Sequence, residues 1–130
     1  MDAFNAVVDM FTLDTNVIIY FAAGDPEISN FLAEHRSQVF YVPSIVVAEF
    51  LSYPLMTSAA AERLHDFIRQ TILINLDYTV AVAAAKIRRT HRLPLADAVI
   101  AASAITTNSS LVTRNVHDFQ KVKGLTIVSP

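Results

Sequence analysis

The 130 residues include 53% hydrophobic side chains, 10 Lys and Arg against 12 Asp and Glu, and no cysteine. That length fits one domain, residues 1–130, burying roughly two thirds of the surface its unfolded chain exposes; without thiols there is no disulfide framework, thiolate zinc site or cysteine nucleophile. A net charge of −2 and a pI near 6.0 exclude nucleic-acid binding through a broad basic surface, so any such contact must be local.

The first strand is expected over Val7 to Leu13, centred on Met10-Phe11-Thr12-Leu13. Asp14-Thr15-Asn16 opens a helix through Tyr20 to Ala23, which Gly24-Asp25-Pro26 stops. A second helix runs from Pro26 to about Arg36, with Ile28, Phe31 and Leu32 on one face. Val39 to Val42 forms a strand ended by Pro43-Ser44, and Ile45 to Leu51 a helix broken by Tyr53-Pro54-Leu55. Ser58 is the expected N-cap of a helix carrying Leu64, Phe67 and Ile68. Thr71 to Ile74 is the third strand, Tyr78 to Arg89 a helix, and Pro94 begins another helix to about Ile105. Ser110 to Thr113 and Leu125 to Val128 supply the last strands.

Strands that are apolar throughout, alternating with helices, predict a single three-layer α/β/α domain around a parallel sheet of about five strands. The mean hydropathy of +0.41 leaves apolar surface for a partner and points to an oligomer. No apolar run reaches the roughly 18 residues that cross a bilayer. Asp2, Asn5 and Asp9 are out of place in a signal peptide, so the expected location is the cytoplasm, with no membrane contact.

In parallel sheets function collects outside the carboxyl ends of the strands, where strand order switches. Most of the acids are explained by solvated helix faces, or, for Asp25 and Asp77, by helix starts. Four are not so easily placed. Asp14 follows the first strand directly, although it also suits an N-cap. Glu49 interrupts the apolar helix Ser44 to Leu51, where it must reach solvent or a cation. Asp97 lies in the first turn of an alanine-rich helix, where the macrodipole also favours an anion. Asp118 comes just after the fourth strand, in what is otherwise an ordinary turn. If the four converge, mutual repulsion raises their pKa values unless a cation neutralises them. An all-oxygen set suits Mg²⁺ or Mn²⁺, and the chemistry that follows is metal-assisted phosphodiester hydrolysis.

Leu13-Asp14-Thr15-Asn16, Val47-Ala48-Glu49-Phe50, Leu95 to Ala101 and Leu111 to Phe119 resemble, in order and spacing, the successive signatures of PIN-domain ribonucleases. Within that family the chain most resembles the VapC-type toxins of bacterial and archaeal toxin–antitoxin pairs, from about Met10 to Val128. The resemblance implies an endoribonuclease in which Asp14, Glu49, Asp97 and Asp118 form the catalytic metal site, with Asp14 and Asp97 as direct ligands. It implies that Asn16, beside Thr15, braces the carboxylates and that Thr113 supports water or substrate. Asn115 stands where some relatives carry another acid, so one tight ion is expected, with a second recruited alongside RNA. It further implies a homodimer and an antitoxin partner whose tail fills a groove near the active site.

For RNA contacts, Ile87 to Arg92 is the densest basic cluster, although cations at a helix C-terminus also answer the dipole. Arg114, Lys121 and Lys123 lie near Asp118 in sequence and are expected along the substrate path. Tyr20, Tyr41, Phe50 and Phe119 are expected mainly in the core, and His117 in a solvated loop. Two other readings compete. A non-catalytic α/β protein-interaction module would use the acids as caps. A phosphotransfer fold would use Asp14 as nucleophile, but Asp14-Thr15-Asn16 lacks the second aspartate of a dehalogenase-like site.

Overall fold

A computed structural model describes residues 9–130; Val7 and Val8, expected in the first strand, lie outside them. Among the described residues β1 (Met10–Leu13) leads into α1 (Thr15–Ala22) and α2 (Pro26–Glu34), and β2 (Val39–Pro43) into α3 (Ser44–Leu51) and α4 (Ser58–Ile68). Next come β3 (Ile72–Ile74), α5 (Tyr78–His91), α6 (Leu95–Thr106), β4 (Ser110–Val112), α7 (Val116–Phe119) and β5 (Ile127–Val128).

All neighbouring strands pair in parallel, in the order β3-β2-β1-β4-β5. The chain steps outward from β1 to β3, then returns across the sheet to β4 and β5. With right-handed crossovers, α1 to α4 cover one face and α5 to α7 the other, which gives the expected three layers. The direction reverses between β1 and β4, so the switch point lies where Leu13 and Val112 pair at the carboxyl ends of these strands.

Local chemistry sets the element ends. Gly24, at φ 83°, turns the chain after α1, and Asp25 caps α2 by accepting from the Ile28 N–H, with Pro26 at the first helical position. Asp77 caps α5 in the same way through the Val80 N–H. The cap of α4 is Thr57, which accepts from the Ala60 N–H, and the expected cap Ser58 is already helical. One element was not foreseen: α7 is a single turn where the sequence suggested only a turn. Its length, four residues, is too short for any periodicity to announce it.

Helix α6 is the central support. Ala98 to Ala104 are all buried, and the small Ala98, Ala101, Ala102, Ser103 and Ala104 let the helix lie close against β1, β2 and β4. Phe11, Leu13, Val42, Leu111 and Val112 fill the sheet side of the core. Strand β3 departs from expectation: Ile72 and Leu73 are exposed, because the strand is at the sheet edge and no helix covers it fully. A cavity of about 480 Å³, lined by Phe21, Leu32, Phe40, Phe67, Arg36 and Arg63 among others, opens between α2 and α4. Gln38 and Thr71, which precede β2 and β3, also line it, so it lies toward the amino ends of the strands.

Candidate active site

Asp14 leaves β1 at the switch point, and its N–H donates to Val112 O at 3.1 Å, continuing the ladder to β4. The carboxylate is only 5% exposed. One oxygen, Oδ1, accepts from the Thr15 N–H at 2.8 Å, so the cap role foreseen for Asp14 is real. The other, Oδ2, accepts from the Thr113 hydroxyl at 2.7 Å, a bond across the switch point to the end of β4. Thr113 is fully buried and its Oγ1 accepts in turn from the Asn115 N–H at 2.9 Å. Asn115 Nδ2 then donates to Asp118 Oδ2 at 2.8 Å. On the α3 side, the Thr15 hydroxyl donates to Glu49 Oε1 at 2.6 Å. Each of these three carboxylates thus has a neutral side-chain partner.

Asp97 differs: among the described residues no side chain donates to its carboxylate. Burial pushes its carboxyl up to about 6, and the negative charges of Asp14, Glu49 and Asp118 push in the same direction. Asp14 is also raised, chiefly by burial and further by Glu49, while the Thr113 and Thr15 bonds oppose the rise. Four acids distant in sequence therefore share one electrostatic neighbourhood at the carboxyl end of the sheet.

A family model described as "PIN domain" matches residues 11–125. The chain belongs to the PIN-domain family. Among solved structures it is similar to DNA-bound VapBC from Salmonella typhimurium, at 26% identity and a TM-score of 0.78, with 95% of this chain and 98% of that one covered. It is similar to VapBC2 from Rickettsia felis bound to a DNA fragment from their promoter, with a TM-score of 0.81, 22% identity and coverage of 92% and 98%. FitAcB from Neisseria gonorrhoeae aligns at 27% identity with a TM-score of 0.68, covering 91% of this chain and 96% of that one. No curated protein sequence matches the chain significantly. The resemblance expected from the four motifs is met at the level of family and fold.

In this PIN domain the acids suit a hard cation. Among the described residues no Lys or Arg forms an ion pair with Asp14, Glu49, Asp97 or Asp118. Asn16 Oδ1, two residues from Asp14 in the chain, is buried without a hydrogen-bond partner. An all-oxygen donor set with excess negative charge is the chemistry that Mg²⁺ and Mn²⁺ require.

Among the described residues no three Asp, Glu or His side chains stand close enough to hold a metal ion as placed, although the charges of Asp14, Glu49 and Asp118 all act on Asp97. Among the described residues Asn16 Nδ2, the donor of that side chain, reaches no carboxylate, and the bond to Glu49 comes from the Thr15 hydroxyl.

Arg114, expected along the substrate path, is committed elsewhere. Its guanidinium pairs bidentately with Asp25 at 2.8 and 2.9 Å and lies over the Tyr20 ring. Asp25 is the helix start the sequence suggests, and nothing in its spacing from Arg114 signals the pair. Lys121 and Lys123 lie between α7 and β5, and among the described residues neither forms an ion pair. Phe50 and Phe119 are core, as expected, whereas Tyr20 is largely exposed. His117 is exposed in α7.

Proposed function

We propose that this PIN domain is a Mg²⁺- or Mn²⁺-dependent endoribonuclease and the toxin of a VapBC-type toxin–antitoxin pair. Asp97 carries the reading: a carboxyl at about 6, raised by burial and by Asp14, Glu49 and Asp118, in a site without a protein counter-charge. Such a cluster costs folding free energy unless a ligand makes use of it.

Asp14 and Asp97 would hold the ion directly, with Glu49 and Asp118 alongside. When bound, the ion would acidify water and offset charge on the phosphate undergoing hydrolysis. The protein's own groups prepare that site. Thr113 fixes Asp14 Oδ2 from β4, Thr15 fixes Glu49 from α1, and Asn115 fixes Asp118 across the first turn of α7. Because Asn115 is neutral, it serves here as a donor to Asp118 and adds no ligand charge, which favours one tight ion with a second recruited alongside RNA.

Arg88, Arg89 and Arg92 are exposed, and among the described residues none has an ion-pair partner. They sit at the turn into α6, whose first turn bears Asp97, so they support local phosphate contacts near the site. An antitoxin partner is supported by the VapBC complexes that share the fold; the cavity flanked by Arg36 and Arg63 lies at the other end of the strands from the acids and is not the groove expected near the site. A homodimer is supported by the exposed Ile72, Leu73, Tyr78 and Val82 along β3 and α5. The expected location is the cytoplasm; among the described residues no helix is long and apolar enough to cross a membrane.

The deciding experiment incubates wild type and Asp14→Asn with labelled structured RNAs, with and without divalent metal. Cleavage by wild type alone, abolished by EDTA, is expected. Equal cleavage by both proteins, or cleavage indifferent to EDTA, refutes the metal mechanism. A non-catalytic interaction module predicts no rise in melting temperature with millimolar Mg²⁺ or Mn²⁺, whereas a metal site predicts one.

A further inference from the structure

Arg114 occupies the position between two residues that organise the site. Thr113 before it donates to Asp14, and Asn115 after it donates to Asp118. The Arg114 side chain is held by three separate parts of the chain. Asp25, the cap of α2, accepts two parallel bonds at 2.8 and 2.9 Å; the Pro130 carbonyl accepts from Nε at 3.3 Å; and the Tyr20 ring of α1 lies 4.6 Å from the guanidinium carbon. The pair is mostly shielded, with 24% and 21% of the two side chains exposed, so it is less screened than a surface ion pair. The guanidinium holds the Asp25 carboxyl below the usual aspartate range, consistent with a persistent pair.

We propose that the Asp25–Arg114 clasp is a positioning device for the metal site: it fixes the turn at the end of β4, and through Thr113 and Asn115 it fixes Asp14 and Asp118. The clasp joins the loop between α1 and α2 to the far strand of the switch point, two regions that the sheet itself does not connect. A planar fork with two bonds constrains direction as well as distance, which a lysine in the same place would not do. The role of the clasp at a metal site rests on the nuclease reading; its hold on the turn does not.

The test separates these. Asp25→Asn retains the α2 cap, since Asn caps as well as Asp, but removes the charge from the pair. Arg114→Lys retains the charge but loses the fork, and Arg114→Gln loses both. Two quantities are measured in full-length protein: amide hydrogen exchange at Thr113 to Asp118, and Mn²⁺ affinity by spin-resonance titration. Asp25→Asn and Arg114→Gln should each speed exchange in that segment and weaken Mn²⁺ binding by about 10-fold, the low end for residues that orient metal ligands. Arg114→Lys should fall between wild type and Arg114→Gln, and the double variant Asp25→Asn/Arg114→Gln should be no worse than either single one. Variants that lower the melting temperature while leaving segment exchange and Mn²⁺ affinity unchanged overturn the proposal, because the clasp is then only a brace. Wild type that binds no Mn²⁺ refutes the nuclease reading and the metal role of the clasp, and the exchange data then decide by themselves whether it holds the turn.

Discussion

Thr12 and Asp14 stand on the same strand end, two residues apart, and are 0% and 5% exposed. Thr12 belongs to a closed chain of neutral hydroxyls: its Oγ1 lies 2.6 Å from Ser109 Oγ, which lies 2.8 Å from Thr107 Oγ1. Asp14 also has partners for both oxygens, but the partners are neutral and the neighbouring acids are not. One buried polar group has its hydrogen bonding completed within the protein. The other has its hydrogen bonding completed and its charge left open. Burial with satisfied bonds is what a fold requires of a polar residue; burial with an uncompensated charge is what a cation site requires.

The sharpest way to break that contrast is to remove the charge alone. Asp14→Asn should lower RNA cleavage by at least about 100-fold, more than loss of a residue that merely orients a ligand, with circular dichroism unchanged. The shape and the cap persist, because Asn can still accept from the Thr15 N–H. Cleavage within a few-fold of wild type would show that the open charge has no catalytic use.

Asp97 gives the contrast a pH dependence. Its folded carboxyl binds a proton more tightly than the ordinary aspartate value of 3.8, at about 6, so between those values the folded state holds more protons than the unfolded one. Metal-free protein should therefore lose stability as pH rises from 3.8 through about 6, and Asp97→Asn should flatten that part of the melting curve. The same acid should make the metal-induced rise in melting temperature larger at pH 7.5 than at pH 5, because an ion competes with the proton. A melting temperature that rises across this window in metal-free wild type would contradict the assignment.

Smaller effects follow at the hydroxyls. Thr113→Val leaves Asp14 Oδ2 without its donor and should cost about 1.5–3 kcal/mol by urea unfolding, together with weaker Mn²⁺ binding. Thr12→Val should cost only about 1 kcal/mol, since Ser109 keeps Thr107 and the Ala104 carbonyl, and should leave Mn²⁺ affinity unchanged. Equal loss of Mn²⁺ affinity in both variants would erase the distinction between the two buried groups.

The sequence by itself determined every element but α7, and the family. Apolar strands alternating with helices dictated a covered parallel sheet, and carboxylates in apolar surroundings at Asp14, Glu49 and Asp97 marked where charge was being kept against the hydrophobic pattern. These are local signals, carried by neighbours within one turn or one strand. The tertiary structure alone decided which partner each group took. Thr113 meets Asp14, Thr15 meets Glu49 and Arg114 meets Asp25 only because strand order brings β1 beside β4 and packs α1 between its neighbours. A side chain's partner depends on distances that close over 34, 89 or 99 residues of chain, and no periodicity encodes them. The same reason explains why the pairing of Arg114 with Asp25 could not be read from the sequence.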